Sequence, residues 1–271
     1  MQPTSLREVT VALAGIVLAN ALFVGAIAAD VLPRALYNYG RFLLLGAVLI
    51  AVVWRFRGGD GVAGLFRPMT NWRRAPGWYL LAVAWAPGLA ALTLILAGLA
   101  WGGGLSLAAL DLGTIARPGV IATLIVGSFI GEIVWVSYAI AALSRRISPL
   151  AAGLVVGVVW TLWWLPMVWF NIGVIPDLPV PTLFLHQMSI AAMCAFVYMR
   201  TRSGLIVFVM QMVVNGSVLV FPVAPSSGGL EVYSVLAAVY AGATLAVYLL
   251  AGRDLMRGPQ PAMPVAARSM R

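Results

Sequence analysis

Glu132 is the side chain in this sequence with the clearest capacity for chemistry. It is the only charged residue in the apolar run from Pro118 to Ser144. A carboxyl group near the middle of a membrane-spanning helix costs about 2–3 kcal/mol or more on insertion scales. Ionisable residues are retained at that depth mainly where they serve a function. Glu132 is therefore the first candidate for a functional site.

Further polar and aromatic side chains fall in two later apolar runs. Gln211 and Asn215 are four residues apart, so they project from the same face of a helix. A tryptophan-rich run that includes Trp163 ends just before Pro166. We predict that these side chains enclose one small pocket in which Glu132 is the only ionisable member.

The composition is that of an integral membrane protein. Of the 271 residues, 62% are hydrophobic and 9% are charged, whereas a soluble domain carries about 25% charged residues. We predict an all-α, polytopic membrane protein with a single transmembrane domain over residues 1–252. The tail 253–271 is rich in Pro, Ala and Arg, and we predict that it is a disordered cytoplasmic segment.

About 20 apolar residues cross a bilayer as a helix, and the sequence contains about eight such runs. The predicted spans are Val9–Ala29, Leu36–Trp54, Ala75–Trp101, Gly119–Leu143, Leu150–Phe170, Pro181–Met199, Gly204–Phe221 and Val232–Leu250. The segment Gly58–Arg74 is predicted to be a polar loop. A cleaved signal peptide is an alternative for the first run, because Ala26-Ile27-Ala28 fits a small-residue cleavage pattern.

The basic residues predict the orientation. All 17 are arginines, and they lie in short segments between apolar runs. With a cytoplasmic N-terminus, 14 of them fall on the cytoplasmic side, leaving Arg34, Arg41 and Arg117 outside, with Arg41 close enough to the interface to snorkel. This bias predicts a multi-pass protein of the cell membrane with both termini cytoplasmic and with contacts to anionic lipids. Nucleic acid is not expected as a partner, because no basic stripe or stacking platform is present.

Metal and cofactor chemistry are not expected either. The sequence has one cysteine, Cys194, and one histidine, His186. These are too few nitrogen and sulfur ligands for a zinc site of the usual kind, and one cysteine cannot form an intramolecular disulfide. His186 is predicted to lie at the membrane interface, near the outer end of the sixth span.

Three short runs resemble the motifs of the CAAX-protease and bacteriocin-processing (CPBP) family of intramembrane glutamyl endopeptidases. That family has Glu-Glu-x-x-x-Arg, often continued to a tyrosine, then Phe-x-x-x-His followed by Leu-Pro, then His-x-x-x-Asn. The matching runs are Gly131–Tyr138, Trp160–Trp164 and Gln211–Asn215, the last preceded by a Tyr-x-Arg-Thr-x-x-Gly run at Tyr198–Gly204. The resemblance covers about residues 75–250.

The resemblance implies both a fold and a set of substituted catalytic positions. Only the second glutamate, Glu132, and the oxyanion-side asparagine, Asn215, stand as the family has them. Gly131 replaces the glutamate thought to activate water, Val136 replaces the arginine, and Trp160 replaces the phenylalanine. Trp164 and Gln211 stand at the two histidine positions. Activation of water needs a side chain that accepts a proton reversibly, and glycine, indole and a neutral amide do not.

Each of these positions also has a structural interpretation. Glu132 without its arginine is expected to be protonated and hydrogen-bonded, with Gln211 or Asn215 as its partner across helices. Gly131 pairs with Gly127, and Gly153 with Gly157, in the spacing that lets helices pack closely. Trp164 is expected to fill volume that a substrate would otherwise occupy.

The sequence supports three functional hypotheses. The first is a catalytically degenerate CPBP-family protein that binds a membrane peptide or protein partner. The second is an active intramembrane endopeptidase with an altered centre that uses Glu132 with Asn215. The third is a small transporter, which is disfavoured by the single buried charge and by the absence of visible sequence repeats.

The arginine distribution generates a topology prediction. Single cysteines introduced at Asp60 and Asp177 should react with a membrane-impermeant thiol reagent from opposite sides of the membrane. Labelling is compared in intact and permeabilised cells, with Cys194→Ala as the background. Equal labelling of both positions from outside intact cells would contradict the eight-span orientation.

Overall fold

A computed structural model describes residues 4–102, 109–173 and 178–258 of the chain. The described residues form helices and contain no β-strand, which confirms the all-α prediction. Eight long helices follow one another in the sequence. They are α1 (Leu6–Ala28), α2 (Tyr37–Phe66), α3 (Pro76–Trp101), α4 (Pro118–Leu143), α5 (Pro149–Phe170), α6 (Val180–Thr201), α7 (Gly204–Val220) and α8 (Pro225–Ala251).

Seven of these helices are long and apolar enough to cross a membrane. The eighth, α7, is apolar but has 17 residues, at the lower end of the usual range of about 17–25. Large apolar side chains face outward, among them Leu22 at 66%, Leu99 at 81% and Leu250 at 85% exposure. The chain is therefore a multi-pass membrane protein, and the orientation of its termini stays a prediction.

The helix starts follow ordinary capping chemistry. Ser5, Ser148 and Ser203 each precede a helix and accept a hydrogen bond from the backbone N–H three residues on. Proline stands in the first turn of α3, α4, α5, α6 and α8, where a missing N–H has no intrahelical partner to lose. These signals define helix starts in a sequence that is apolar almost throughout.

Two predicted boundaries are wrong. The segment Gly58–Arg74 is not simply a loop, because α2 continues to Phe66 after a bend at Gly58, whose φ of +64° suits glycine. The last helix starts at Pro225 rather than Val232, again across a glycine of positive φ, Gly229. The predicted disordered tail begins with a 3₁₀ turn, Arg253–Met256, and its remainder from residue 259 lies outside the described residues, as does Asp177.

The closest helix packing in the described bundle is between α5 and α6. A methyl group added to Gly153 would lie 2.7 Å from the Ala192 Cα, and one added to Gly157 would lie 2.5 Å from the Met188 Cα. Both distances are shorter than real side chains allow, so the two backbones meet because these residues are glycines. The predicted small-residue contact on the fifth helix is confirmed. It holds α5 and α6 as one wall, against which α4 and α7 pack.

Buried polar contacts attach α1 to this bundle. The Glu8 carboxylate is 2% exposed and accepts from Arg57 Nε at 3.0 Å and from the Tyr138 hydroxyl at 3.3 Å. Asn20 donates to the Trp163 carbonyl oxygen at 2.7 Å. α1 is therefore bonded to α2, α4 and α5 by polar side chains that a lipid environment would not satisfy.

We predict that Glu8→Gln destabilises the protein by about 3 kcal/mol, because it leaves Arg57, whose side chain is 12% exposed, without its counter-charge. The matched control is Asp254→Asn. Asp254 pairs with Arg200 at 2.6 Å in a pair whose side chains are 62% and 31% exposed. Water screens such a pair, so the control should change stability only slightly. Thermal unfolding in detergent measures both variants, and equal losses would contradict the role given to the buried pair.

Candidate functional site

Glu132 opens a π-helical segment inside α4. The chain is α-helical over Pro118–Gly131, π-helical over Glu132–Ile140 and α-helical again over Ala141–Leu143. Apart from partly buried Ser137, every side chain in the π segment is buried, and Glu132 is 0% exposed. π-Helical turns are rare and occur frequently at functional sites. The apolar periodicity of this run gave no sign of the change in winding.

The π winding gives Glu132 its hydrogen-bond partner. The Ser137 hydroxyl donates to Glu132 Oε1 at 2.5 Å. In an α-helix, residue i+5 lies about 140° around the axis from residue i. The i→i+5 hydrogen bonds of a π-helix bring that residue back over residue i. Ser137 can therefore bond Glu132 because this segment is not α-helical.

The other carboxyl oxygen of Glu132 faces the start of α7. A methyl group added to Gly204 would lie 3.1 Å from both Oε1 and Oε2, so only glycine leaves the carboxyl group its present space. Oε2 is buried and has no hydrogen-bond partner. The ion pairs found among the described residues do not involve Glu132. Gly204 ends the Tyr198–Gly204 run noted in the sequence, and its contact with Glu132 accounts for the glycine.

A cavity of about 590 Å³ lies between the helices next to this carboxyl group. Its mouth is at the end of the bundle where α2 and α4 begin, and includes the exposed residues Asn38, Arg117 and Gly119. Its floor is formed by the buried residues Gly131, Trp135 and Gln211. The volume lies within the range of about 300–1,000 Å³ typical of small-ligand sites.

The structure brings most of the predicted site residues to this cavity. Five of them line it: Gly131, Trp160, Trp164, Gln211 and Asn215. Glu132 and Val136 do not line it, and both are fully buried. The prediction that Glu132 would be the ionisable member of the pocket is therefore wrong. Gly131 lies at the cavity floor, whereas the carboxyl group of the next residue, Glu132, is buried outside the cavity.

The predicted hydrogen bonds of Glu132 to α7 are also absent. Asn215 donates instead to the Ser128 hydroxyl at 3.2 Å, and Gln211 Nε2 has no partner. Gln211 occupies space beside the glycine, because a methyl group on Gly131 would lie 3.1 Å from Gln211 Oε1. Cross-helix partners of this kind depend on helix rotation, which the winding of α4 changes.

Tryptophan rings form one wall of the cavity. Trp135 stacks on Trp160 with centroids 5.7 Å apart and 18° between planes, and it meets Trp163 edge-on at 6.2 Å. Trp164 meets Trp163 edge-on at 6.2 Å. Trp164 was expected to fill the substrate volume, but a cavity remains beside it. The indoles therefore line the cavity as an apolar wall and do not fill it.

Sequence reasoning missed two residues of the cavity, Arg41 and His186. Arg41 was taken as a snorkelling residue, but it is 8% exposed and its side chain turns into the bundle. His186 was expected at the membrane interface, but it is 5% exposed and packs edge-on against the rings of Tyr233 and Tyr240. Its Nδ1 lies 3.3 Å from the Tyr233 hydroxyl, and its Nε2 has no partner. For a polar residue near a helix end, the sequence does not indicate whether the side chain lies at the membrane interface or turns into the bundle.

The arrangement has few groups that could activate water. Glycine, tryptophan and glutamine at positions 131, 164 and 211 accept no proton at neutral pH. His186 is the imidazole in the cavity wall, and no contact in the structure joins it to Glu132 or Asn215. The described residues contain no group of three or more His, Cys, Asp or Glu side chains placed to hold a metal ion. The absence of a metal or other cofactor stays a prediction.

We predict that Glu132→Gln changes stability little, because the amide oxygen still accepts from Ser137. Glu132→Leu should cost about 1 kcal/mol, because the Ser137 hydroxyl then loses its acceptor. The control is Ser137→Ala, which should make Leu and Gln at position 132 equivalent. Thermal unfolding in detergent between about pH 6 and pH 8 measures each variant. A steep pH dependence in the wild type that the Gln variant lacks would show that Glu132 is ionised instead.

Comparison with known protein families agrees with the placement of these residues. A family model described as "Type II CAAX prenyl endopeptidase Rce1-like" matches residues 113–217. The matched part contains all three motif runs, the π segment and Gly204. No curated protein matches the chain. The match confirms, over residues 113–217, the resemblance to the CAAX-protease and bacteriocin-processing family that was drawn from the motifs.

Proposed function

We propose that this CPBP-family membrane protein binds a membrane peptide or protein partner in its cavity without cleaving it. The observation that carries the proposal is an open cavity whose wall includes the positions of the family's water-activating residues, with none of those residues present. Gly131, Trp164 and Gln211 all line the cavity. None of them can act as a base at neutral pH, so these three positions can contribute to binding but cannot activate water.

The cavity has the features of a peptide-binding site. Its walls are mostly aromatic and aliphatic, and Gln211, Asn215 and Gln187 add amide groups that can bond a peptide backbone. Its volume suits the end or a short stretch of a chain, and a whole transmembrane helix would not fit. In the proposed orientation both termini are cytoplasmic, and the cavity then opens toward the outer side.

An alternative is an active intramembrane endopeptidase with an altered centre. Glu132 would be its base and Asn215 its oxyanion donor. Asn215 does line the cavity and is an exposed residue, so a substrate could reach it. Against this alternative, Glu132 is sealed beneath the floor, and a general base must come within about 3 Å of the proton that it removes.

The test combines a cleavage assay with site-specific crosslinking in liposomes. Prenylated CAAX peptides and bacteriocin-like leader peptides should remain intact, at the level of empty liposomes. A photoreactive amino acid at Val120, in the cavity wall, should crosslink a bound peptide. The matched control is the same amino acid at Leu99, which lies near the same end of the bundle and is 81% exposed outside the cavity.

Two results would contradict the proposal. Cleavage that Glu132→Gln abolishes would establish the endopeptidase alternative. Equal crosslinking at positions 120 and 99 would show that the peptide only partitions into the lipid around the protein. Crosslinking at position 120 alone, without cleavage, is the expected outcome.

A further inference from the structure

Arg41 is a buried cation that has no anionic partner in the described part of the chain. Its Nη1 donates to the Tyr37 hydroxyl at 2.6 Å and contacts Met167 Sδ at 3.0 Å, while Nε has no partner. The ion pairs found among the described residues join other arginines to Glu8 and Asp254. A guanidinium stays charged under all ordinary conditions, and burial without a counter-charge is costly.

Aromatic rings surround this guanidinium and shape the space around it. Its Cζ lies 4.4 Å from the centroid of Phe42, 4.7 Å from Tyr37, and 5.5 Å from Trp163 and from Trp164. Ring faces attract a cation and offset part of the cost of burial. They bring no negative charge, however, so the positive charge of Arg41, a residue of the cavity wall, has no counter-charge among the described residues.

The charged residues of the cavity wall are all positive. Two arginines, Arg41 and Arg117, are among its lining residues, and no aspartate or glutamate is. Other buried polar atoms of the wall that lack a partner are His186 Nε2, Gln211 Nε2 and the indole nitrogens of Trp163 and Trp164. The rest of the wall is mostly apolar and includes four tryptophans, four leucines and three valines. A ligand that satisfies both parts needs an acidic group and an apolar chain.

We propose that the cavity binds a single-chain anionic amphiphile, with its acidic head group on Arg41 and its chain along the tryptophan wall. Arginine binds carboxylate and phosphate oxygens through parallel N–H donors, so a fatty acid and a lysophospholipid offer the same chemistry. Such molecules reach the site from the surrounding membrane. A soluble anion would gain nothing from the indole wall, and a neutral lipid would leave Arg41 unpaired.

This proposal goes beyond peptide binding and does not depend on it. It concerns the molecule that occupies the cavity when no peptide is present. A peptide partner would have to displace the amphiphile or share the cavity with it. Loss of lipid binding would leave the crosslinking result at Val120 unaffected, so the two proposals fail separately.

Native mass spectrometry of the full chain in a neutral detergent provides the test. The probes are oleic acid, oleoyl lysophosphatidic acid, monoolein, which has the same chain without charge, and inorganic phosphate, which has no chain. The two acidic amphiphiles should bind in a one-to-one ratio, and monoolein and phosphate should not. Preference for oleic acid over its lysophosphatidic analogue, or the reverse, identifies the source of the acidic group.

Variants then assign the binding to Arg41. Arg41→Gln keeps a hydrogen-bond donor but removes the charge. It should weaken the binding of both acidic probes by at least about tenfold. Arg34→Gln, an exposed arginine outside the cavity, is the matched control and should bind as the wild type does. If Arg41→Gln does not fold, Val218→Trp, which fills the cavity and keeps Arg41, should also abolish binding.

Four outcomes overturn the proposal. Equal binding of monoolein and oleic acid means that the cavity is an apolar site without selection for charge. Acid binding that a folded Arg41→Gln variant retains places the head group away from Arg41, and acid binding that Val218→Trp retains places the amphiphile outside the cavity. The proposal also fails when neither acidic amphiphile binds, and an apolar peptide with a free terminal carboxylate is then tested as the partner of Arg41.

Discussion

The hydrogen bond between Ser137 and the fully buried carboxyl group of Glu132 is the interaction around which α4 and the start of α7 are arranged. Glu132 lies in a helix whose surroundings are apolar, and a bilayer core offers no hydrogen bonds of its own. The protein supplies Ser137 by winding α4 into a π segment, and it supplies space by placing Gly204 at the start of α7. Ser203 caps that start, so the helix cap, the glycine and the carboxyl group form one local unit. Gly131, which forms part of the cavity floor, directly precedes Glu132 of this unit in the sequence.

The cavity and the carboxyl group are adjacent and chemically separate. Gly131 forms part of the floor, while Glu132, the next residue, points away from it. In the family that this part of the chain resembles, the motif carries a glutamate at each of these two positions. Here the one that would face the cavity is a glycine, and the space that it leaves is bounded by Gln211 and Trp135. The arrangement removes negative charge from the floor and leaves Arg41 and Arg117 as the charged residues of the wall.

Sequence reasoning predicted the parts of this structure that depend on local composition. The length of apolar runs gave the helices, and motif spacing predicted that Gly131, Trp160, Trp164, Gln211 and Asn215 would share a pocket. It did not predict the π segment, because an apolar helix has no periodicity from which a change of winding could be read. It missed Arg41 and His186, since their direction is set by distant helices. The bond between Asn215 and Ser128 was missed for the same reason.

The π segment lies between two α-helical parts of α4, Pro118–Gly131 and Ala141–Leu143, so its winding sets how one part is rotated relative to the other. Inserting or removing one residue in an α-helix rotates all later residues about the helix axis by about 100°. If Glu132–Ile140 rewound to α-helix, Ser137 would leave the carboxyl group, and Arg145 and Arg146 would swing around the axis relative to Gly131. The Ser137 hydrogen bond is thus one that the π winding permits and that an α-helix would break. The direction in which Arg145 and Arg146 leave the bundle is set by the winding of this one stretch of backbone.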